Sequence, residues 1–194
     1  GEYDAVWVFI ISTIFVGFYI FIEARPKGSS LFKDIFNNTL DFLDKDSLVF
    51  INKYLVFPFV LLALVLGGLS SADTANNIWY IELNKSNLNP PGYVFAVVWP
   101  ILYLLMSISA FRTFKISKNL FYLQLIFNAL WSWLFFAFQL PLFALLNIWL
   151  LIFLNMKILL CMFKVDKLSA FLYVPYVIWL LFASYLNLFI VINN

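Results

Sequence analysis

Trp179, Ala183 and Asn187 follow one another at intervals of four in the run VPYVIWLLFASYLN, and Tyr176 precedes them by three. Residues three and four apart share one face of a helix, so these side chains form a single stripe. Trp99 and Tyr103 stand at i and i+4, and Asn128, Trp131 and Phe135 at i, i+3 and i+7. Each stripe places an indole or phenol beside a carboxamide, a hydroxyl or a small residue. A flat conjugated ligand needs aromatic faces to stack on and a few polar groups to orient it. The three stripes supply that inventory.

The elements that carry them are lipid-soluble. Of 194 residues, 64% are hydrophobic, 21% aromatic and 11% charged, with a mean hydropathy of +0.96. A soluble domain carries roughly 25% charged residues, so the chain reads as an integral α-helical membrane protein. A net charge of +2 gives no reason to expect a nucleic-acid partner. These residues include no histidine, which removes Ser-His catalysis, histidine-ligated haem and the common zinc sites. One cysteine, Cys161, allows neither an internal disulfide nor a CxxC motif, and it reads as a buried apolar residue.

Apolar runs of about 20 residues cross a hydrocarbon core, and six are expected: 5–23, 50–70, 90–113, 119–138, 141–163 and 168–191. The first has Glu2 and Asp4 before it and Arg25 and Lys27 after it. A signal peptide has the opposite charge order, so this run reads as a retained spanning helix. Pro90-Pro91 and Pro141 stand where helices start, and Pro58, Pro100 and Pro175 are expected inside spans, kinking them. Between the first two spans, Leu31, Phe32, Ile35, Phe36, Leu40 and Leu43 recur at helical spacing among polar residues. That pattern predicts an amphipathic helix lying on the membrane, with a packed connector as the alternative.

Eleven of the 12 basic residues fall in 25–53, 112–118 and 157–167, leaving Lys85 alone on the other side. Basic residues mark one membrane face. Both termini and the 71–89 loop are therefore expected on the face opposite the basic loops.

From about Phe50 to the C-terminal end, the chain resembles the TspO/translocator protein family, the tryptophan-rich sensory proteins. The residues that carry the resemblance begin with Trp79-Tyr80 and Leu83, then Asn89-Pro90-Pro91 and Val94-Phe95. Trp99, Leu102-Tyr103 and Met106 come next, then Gln124, Phe127-Asn128, Leu130-Trp131 and Phe135-Phe136. Val174-Pro175-Tyr176, Trp179, Ala183 and Leu186-Asn187 complete the series. An ordered set across four helices is specific where a lone Pro-Pro is not. The resemblance covers residues 50–194, and residues 1–49 have no counterpart in the five-helix family plan.

The fold class this implies is an all-α integral membrane protein. A five-helix bundle over 50–194 is joined by an extra N-terminal transmembrane helix and interfacial amphipathic helix over 1–49. The family binds porphyrins and, in some members, sterols. Here the sterol motif at the end of the last helix is replaced by Leu186, Leu188 and Phe189 with no basic residue after them, so sterol recognition by that route is not expected. The resemblance implies one pocket lined by Trp99, Tyr103, Asn128, Trp131, Tyr176, Trp179, Ala183 and Asn187. A lid loop carrying Trp79 and Tyr80 and ending in Pro90 and Pro91 would close it. No cofactor is required; the expected ligand is a porphyrin-like amphiphile, bound for transport or sensing.

Two other readings stand beside it. The chain could serve as an accessory subunit docked onto a larger membrane complex through residues 1–49. It could also degrade porphyrins, with Trp99 and Trp179 as redox-active groups, although no nucleophile, metal cluster or acid–base pair accompanies them. Among the remaining residues, Trp7 and Trp149 read as interfacial anchors, and Asn147 and Asn155 as helix-packing amides. Gly67, Gly68, Ser71 and Ala72 fit either a helix contact or open space.

Overall fold

The computed structural model describes residues 52–72 and 74–194. The expected first span, the amphipathic helix and the separate 1–49 region lie outside the described residues. By compactness the chain divides into residues Gly1–Val56 and Phe57–Asn194, and everything that follows concerns the second unit.

Among the described residues the structure is all helical. The elements are α1 (Val56–Ser71), the short α2 (Ile78–Glu82), α3 (Gly92–Arg112) and α4 (Phe114–Ser132). A single π-helical turn over Trp133–Ala137 extends α4, and α5 (Pro141–Val165) and α6 (Lys167–Asn193) complete the chain. Five segments are long and apolar enough to cross a membrane: Asn52–Ser71, Gly92–Arg112, Phe114–Ala137, Pro141–Val165 and Lys167–Asn193. They correspond to the last five expected spans. Leu61, Leu69, Leu104 and Ile178 are among the large apolar residues left exposed. Such exposure on spanning helices is what lipid contact requires.

The helix boundaries follow from local chemistry. Pro91 precedes α3 and Pro141 opens α5, positions where a missing N–H breaks no helical bond. Pro58 also lies in the first turn of α1, rather than mid-span as the sequence suggested. Pro100 and Pro175 do lie inside α3 and α6. Asp166 caps α6, its Oδ1 accepting from the backbone N–H of Leu168 at 3.1 Å and Ser169 at 3.4 Å.

The clearest difference from the expected boundaries is at 112–118. α4 begins at Phe114, so Lys115 and Lys118 belong to a helix and Thr113 alone separates it from α3. The Thr113 hydroxyl donates to the Ser109 carbonyl at 2.8 Å, and Ser117 donates to the Thr113 carbonyl at 3.0 Å. Hydroxyl bonds to the preceding turn let the chain change direction in one residue. Lysines can occupy that first turn because their long stems carry the charge outward.

Within the unit, the most extensive packing joins α5 to α6, α4 to α5 and α3 to α6, while α3 touches α4 much less. α1 is tied to the end of α4: Ser132 Oγ donates to the Gly67 carbonyl at 3.0 Å, and Trp133 Nε1 to the Leu66 carbonyl at 3.1 Å. Ser70 and Ser132 share a hydroxyl bond of 2.6 Å. Gly67 thus takes part in a helix contact, whereas Gly68 faces open space.

At the end of the unit where α3 meets α6, Arg112 Nε and Asp166 Oδ2 pair at 2.8 Å. Ser169 Oγ donates to the same oxygen at 2.7 Å. The Arg112 hydrogen bond and then the Ser169 one hold the Asp166 carboxyl down, at about 2.

Candidate ligand site

Deep in the unit, six polar side chains from four helices form one hydrogen-bonded ladder. Tyr103 Oη on α3 donates to Asn128 Oδ1 on α4 at 2.5 Å. Asn128 Nδ2 donates to Tyr176 Oη on α6 at 2.6 Å, and Tyr176 Oη donates to Gln124 Oε1 at 2.8 Å. Asn155 Nδ2 on α5 reaches Gln124 Oε1 at 3.5 Å and the Leu151 carbonyl at 2.8 Å. Tyr173 Oη closes the series by donating to Asn155 Oδ1 at 2.5 Å. All six residues are buried, none more than 5% exposed. In an apolar interior an unpaired amide costs several kcal/mol, about 2–7, and here each finds its partner on another helix.

Beside the Tyr103 end stands an aromatic group. Trp99 lies 5.7 Å from Tyr103 and 6.4 Å from Trp179, ring centroid to centroid, the two indoles meeting edge to face at 86°. Phe95 and Phe182 flank Trp179 at 5.8 and 5.5 Å. Trp179 Nε1 is buried and has no hydrogen-bond partner. Buried indole N–H groups usually find one. A donor held unpaired against three aromatic rings is an arrangement an acceptor-bearing ligand would complete.

A second aromatic group lies under the lid. Trp131 stacks on Phe135 at 5.6 Å and 22°, and its Nε1 donates to Asn187 Oδ1 at 3.1 Å. Asn187 in turn donates to the Pro141 carbonyl at 2.8 Å. Trp79 and Tyr80 of α2 pack on Phe135 at 5.9 and 6.5 Å, and Tyr80 also meets Phe136 at 5.6 Å. Leu83, Ala144 and Ile190 join this cluster. The π-helical turn that carries Phe135 and Phe136 ends in Gln139 at φ 57°. A π turn shifts the register of the side chains that follow it, and both phenylalanines lie within it.

The lid segment is strapped to α6. Ser86 Oγ and Tyr185 Oη are 3.0 Å apart, and the Asn84 N–H donates to Asn194 Oδ1 at 2.8 Å. Asn77 caps α2 by accepting from the Tyr80 N–H at 3.3 Å. Lys85 closes its other end, donating to the Ile81 and Leu83 carbonyls at 3.2 and 3.4 Å with its ammonium 4.6 Å from the Tyr80 ring centre. Burial raises the Tyr80 phenol and lowers the Lys85 ammonium. Pro90 and Pro91 lead from this segment into α3, with Asn89 Nδ2 donating to the Pro90 carbonyl at 3.3 Å.

The expected pocket residues therefore meet in sets. Trp99, Tyr103 and Trp179 form one contact group, Tyr103, Asn128 and Tyr176 one hydrogen-bonded series, and Trp131 with Asn187 a third pair. Ala183 is buried on α6 between Trp179 and Asn187. Trp79 and Tyr80 reach the third set through Phe135. Sequence reasoning assigned no site role to Gln124, Tyr173, Phe95 or Phe182. Gln124 could have been found from its i, i+4, i+7 spacing with Asn128 and Trp131. Asn147 and Asn155 both donate to backbone carbonyls, Phe127 at 2.8 Å and Leu151 at 2.8 Å. Trp149 is exposed and donates to Ser184 Oγ at 3.0 Å. Cys161 is only partly buried, because position 161 lies at the edge of the α5 face that packs inward. Among the described residues no group of histidine, cysteine or carboxylate side chains is placed to hold a metal.

Comparison with known proteins agrees with this architecture. The model of the TspO/MBR family matches residues 56–192. Protein CrtK of Rhodobacter capsulatus is 31% identical over 144 residues, covering 68% of this chain and 88% of that protein. The tryptophan-rich protein TspO of Archaeoglobus fulgidus is 33% identical over 146 residues, covering 70% and 94%. A tryptophan-rich sensory protein of Cereibacter sphaeroides is 38% identical over 117 residues, covering 56% and 72%. The match spans every membrane helix described above, so the chain is an integral membrane protein that belongs to the TspO/MBR family.

Proposed function

We propose that this protein binds a planar amphiphile of the porphyrin type inside its helix bundle, against Trp99 and Trp179, for sensing or transport. The observation that carries the reading is the buried, unpartnered Trp179 N–H among Phe95, Trp99 and Phe182. Stacking on the rings would supply most of the affinity, and the indole N–H would fix orientation by donating to a ligand acceptor. Tyr103, Asn128 and Tyr176 already satisfy one another, so they would form the floor of the site. Trp131, Asn187 and the α2 lid would close its other end.

Titration of the detergent-solubilised protein with metal-free porphyrin, read by tryptophan quenching and by the porphyrin absorption band, tests this. Saturable one-to-one binding that Trp179→Phe weakens about tenfold supports it, the loss expected for one buried hydrogen bond. Binding that is absent, or unaffected by Trp179→Phe, argues against it.

A further inference from the structure

The buried ladder has a direction, and one backbone atom sets it. A carbonyl oxygen only accepts, so the Leu151 carbonyl, 2.8 Å from the Asn155 side chain, must face its NH2. Asn155 Oδ1 then faces Tyr173, whose hydroxyl donates to it. The same NH2 turns toward Gln124 at 3.5 Å, so Gln124 offers its oxygen there and its nitrogen to the Met106 sulfur at 4.0 Å. That oxygen takes the Tyr176 proton, leaving the Tyr176 oxygen to accept from the Asn128 NH2. The Asn128 oxygen consequently takes the proton of Tyr103. Each step leaves the next no choice. At the aromatic end, Tyr103 has its proton committed inward and only oxygen lone pairs to offer.

We propose that Tyr173, Asn155 and Gln124 are positioning residues that set the hydrogen-bond polarity of the ligand site from deeper in the bundle. Through Tyr176 and Asn128 they make the Tyr103 oxygen an acceptor, while Trp179 supplies a donor. This rests on the reading of the Trp99 and Trp179 group as a ligand site, and it narrows the ligand class. The ligand carries an N–H or O–H donor for Tyr103 as well as an acceptor for Trp179. A metal-free tetrapyrrole has both; its metal complex has lost the pyrrole N–H.

The test uses the full chain in detergent, first without ligand. The C–O stretch of isotope-labelled tyrosine distinguishes a phenol that donates from one that accepts, and subtracting the spectrum of Tyr103→Phe assigns the Tyr103 band. Asn155→Asp keeps the side-chain shape but replaces the NH2 by a carboxyl oxygen, which offers Gln124 an acceptor. Gln124 and Asn128 must then turn over, and Tyr103 comes to accept from the Asn128 NH2. The expected result is a Tyr103 band moved from the donor to the acceptor position, with binding of metal-free porphyrin weakened about tenfold. Should Asn155→Asp not fold, Asn155→Leu removes the anchor and splits the band between both positions. Asn147→Leu is the control: it deletes a buried amide of the same helix outside the ladder, lowering the melting temperature while leaving band and affinity unchanged. A Tyr103 band at the wild-type position in a folded Asn155 variant overturns the proposal. A band that moves in a protein whose wild type binds no porphyrin upholds the polarity relay and removes the ligand reading instead.

Discussion

Trp99 and Trp179 come from α3 and α6, 80 residues apart in sequence, and meet edge to face at 6.4 Å. α3 and α6 pack extensively, so this pair sits on one of the firmer contacts of the unit. An aromatic pair in this geometry is worth about 0.5–1.5 kcal/mol beyond the area it buries. It also leaves the Trp179 N–H turned away from any partner. A purely structural pair would have little reason to keep that donor unpaired.

The lid straps should control exchange rather than occupancy. Replacing Ser86 by Ala and Tyr185 by Phe removes the hydroxyl pair at 3.0 Å and leaves the aromatic packing under α2 in place. One net hydrogen bond is worth about 1 kcal/mol, so porphyrin dissociation followed by stopped flow should speed up roughly fivefold. An unchanged off-rate would show that the lid is held by Phe135 and Phe136 alone.

Phe135 is the anchor of that packing, 4% exposed and in contact with Trp79, Tyr80, Trp131 and Phe136. Phe135→Ala should cost about 3–5 kcal/mol, the usual range for emptying a buried phenylalanine site. Limited proteolysis should then cut within 72–91 at protease levels that leave the wild type intact. Unaltered resistance to cleavage would contradict the assignment of Phe135 as the lid anchor.

At the opposite end, Asp166 should give the protein an acid-dependent component of stability. Its folded-state carboxyl is held at about 2, below the ordinary 3.8, first by the Arg112 hydrogen bond and then by Ser169. A depressed carboxyl contributes stability that is fully present above the ordinary value and is lost as pH falls through the folded one. Thermal melts should therefore show the wild type losing part of its margin over Asp166→Asn between about pH 4 and pH 2. Parallel pH profiles for the two proteins would mean that the ion pair contributes nothing measurable.

Much of this was legible in the sequence because the signals are periodic. The four-residue recurrence of Trp99 and Tyr103, and of Trp179, Ala183 and Asn187, places each set on one face whatever the neighbours do. Apolar run length likewise located the spanning helices that the structure describes. What escaped depends on contacts between helices. The π turn at Trp133–Ala137 has no compositional marker, since WLFFA would continue an α-helix equally well. The start of α4 at Phe114 was hidden because three basic residues in 112–118 look like a loop, although hydroxyl bonds at Thr113 and Ser117 complete the turn. Asn155 and Tyr173 could be recognised as polar residues in apolar helices, but their joining Gln124 and Tyr176 in one ladder is a property of the packed bundle.

The central claim is that a ligand acceptor occupies the position in front of the Trp179 indole. Nitrogen-15 labelling of the tryptophan side chains, with the Trp179 resonance assigned through Trp179→Phe, observes that N–H directly. On addition of metal-free porphyrin, the Trp179 Nε1–H resonance should move downfield in saturable proportion to ligand, as a newly made hydrogen bond requires, while the Trp149 resonance stays in place. A Trp99→Ala, Trp179→Ala double variant should bind at least about tenfold more weakly, from the loss of stacking. A Trp179 signal that stays fixed at saturating porphyrin, together with undiminished affinity in the double variant, would contradict the account.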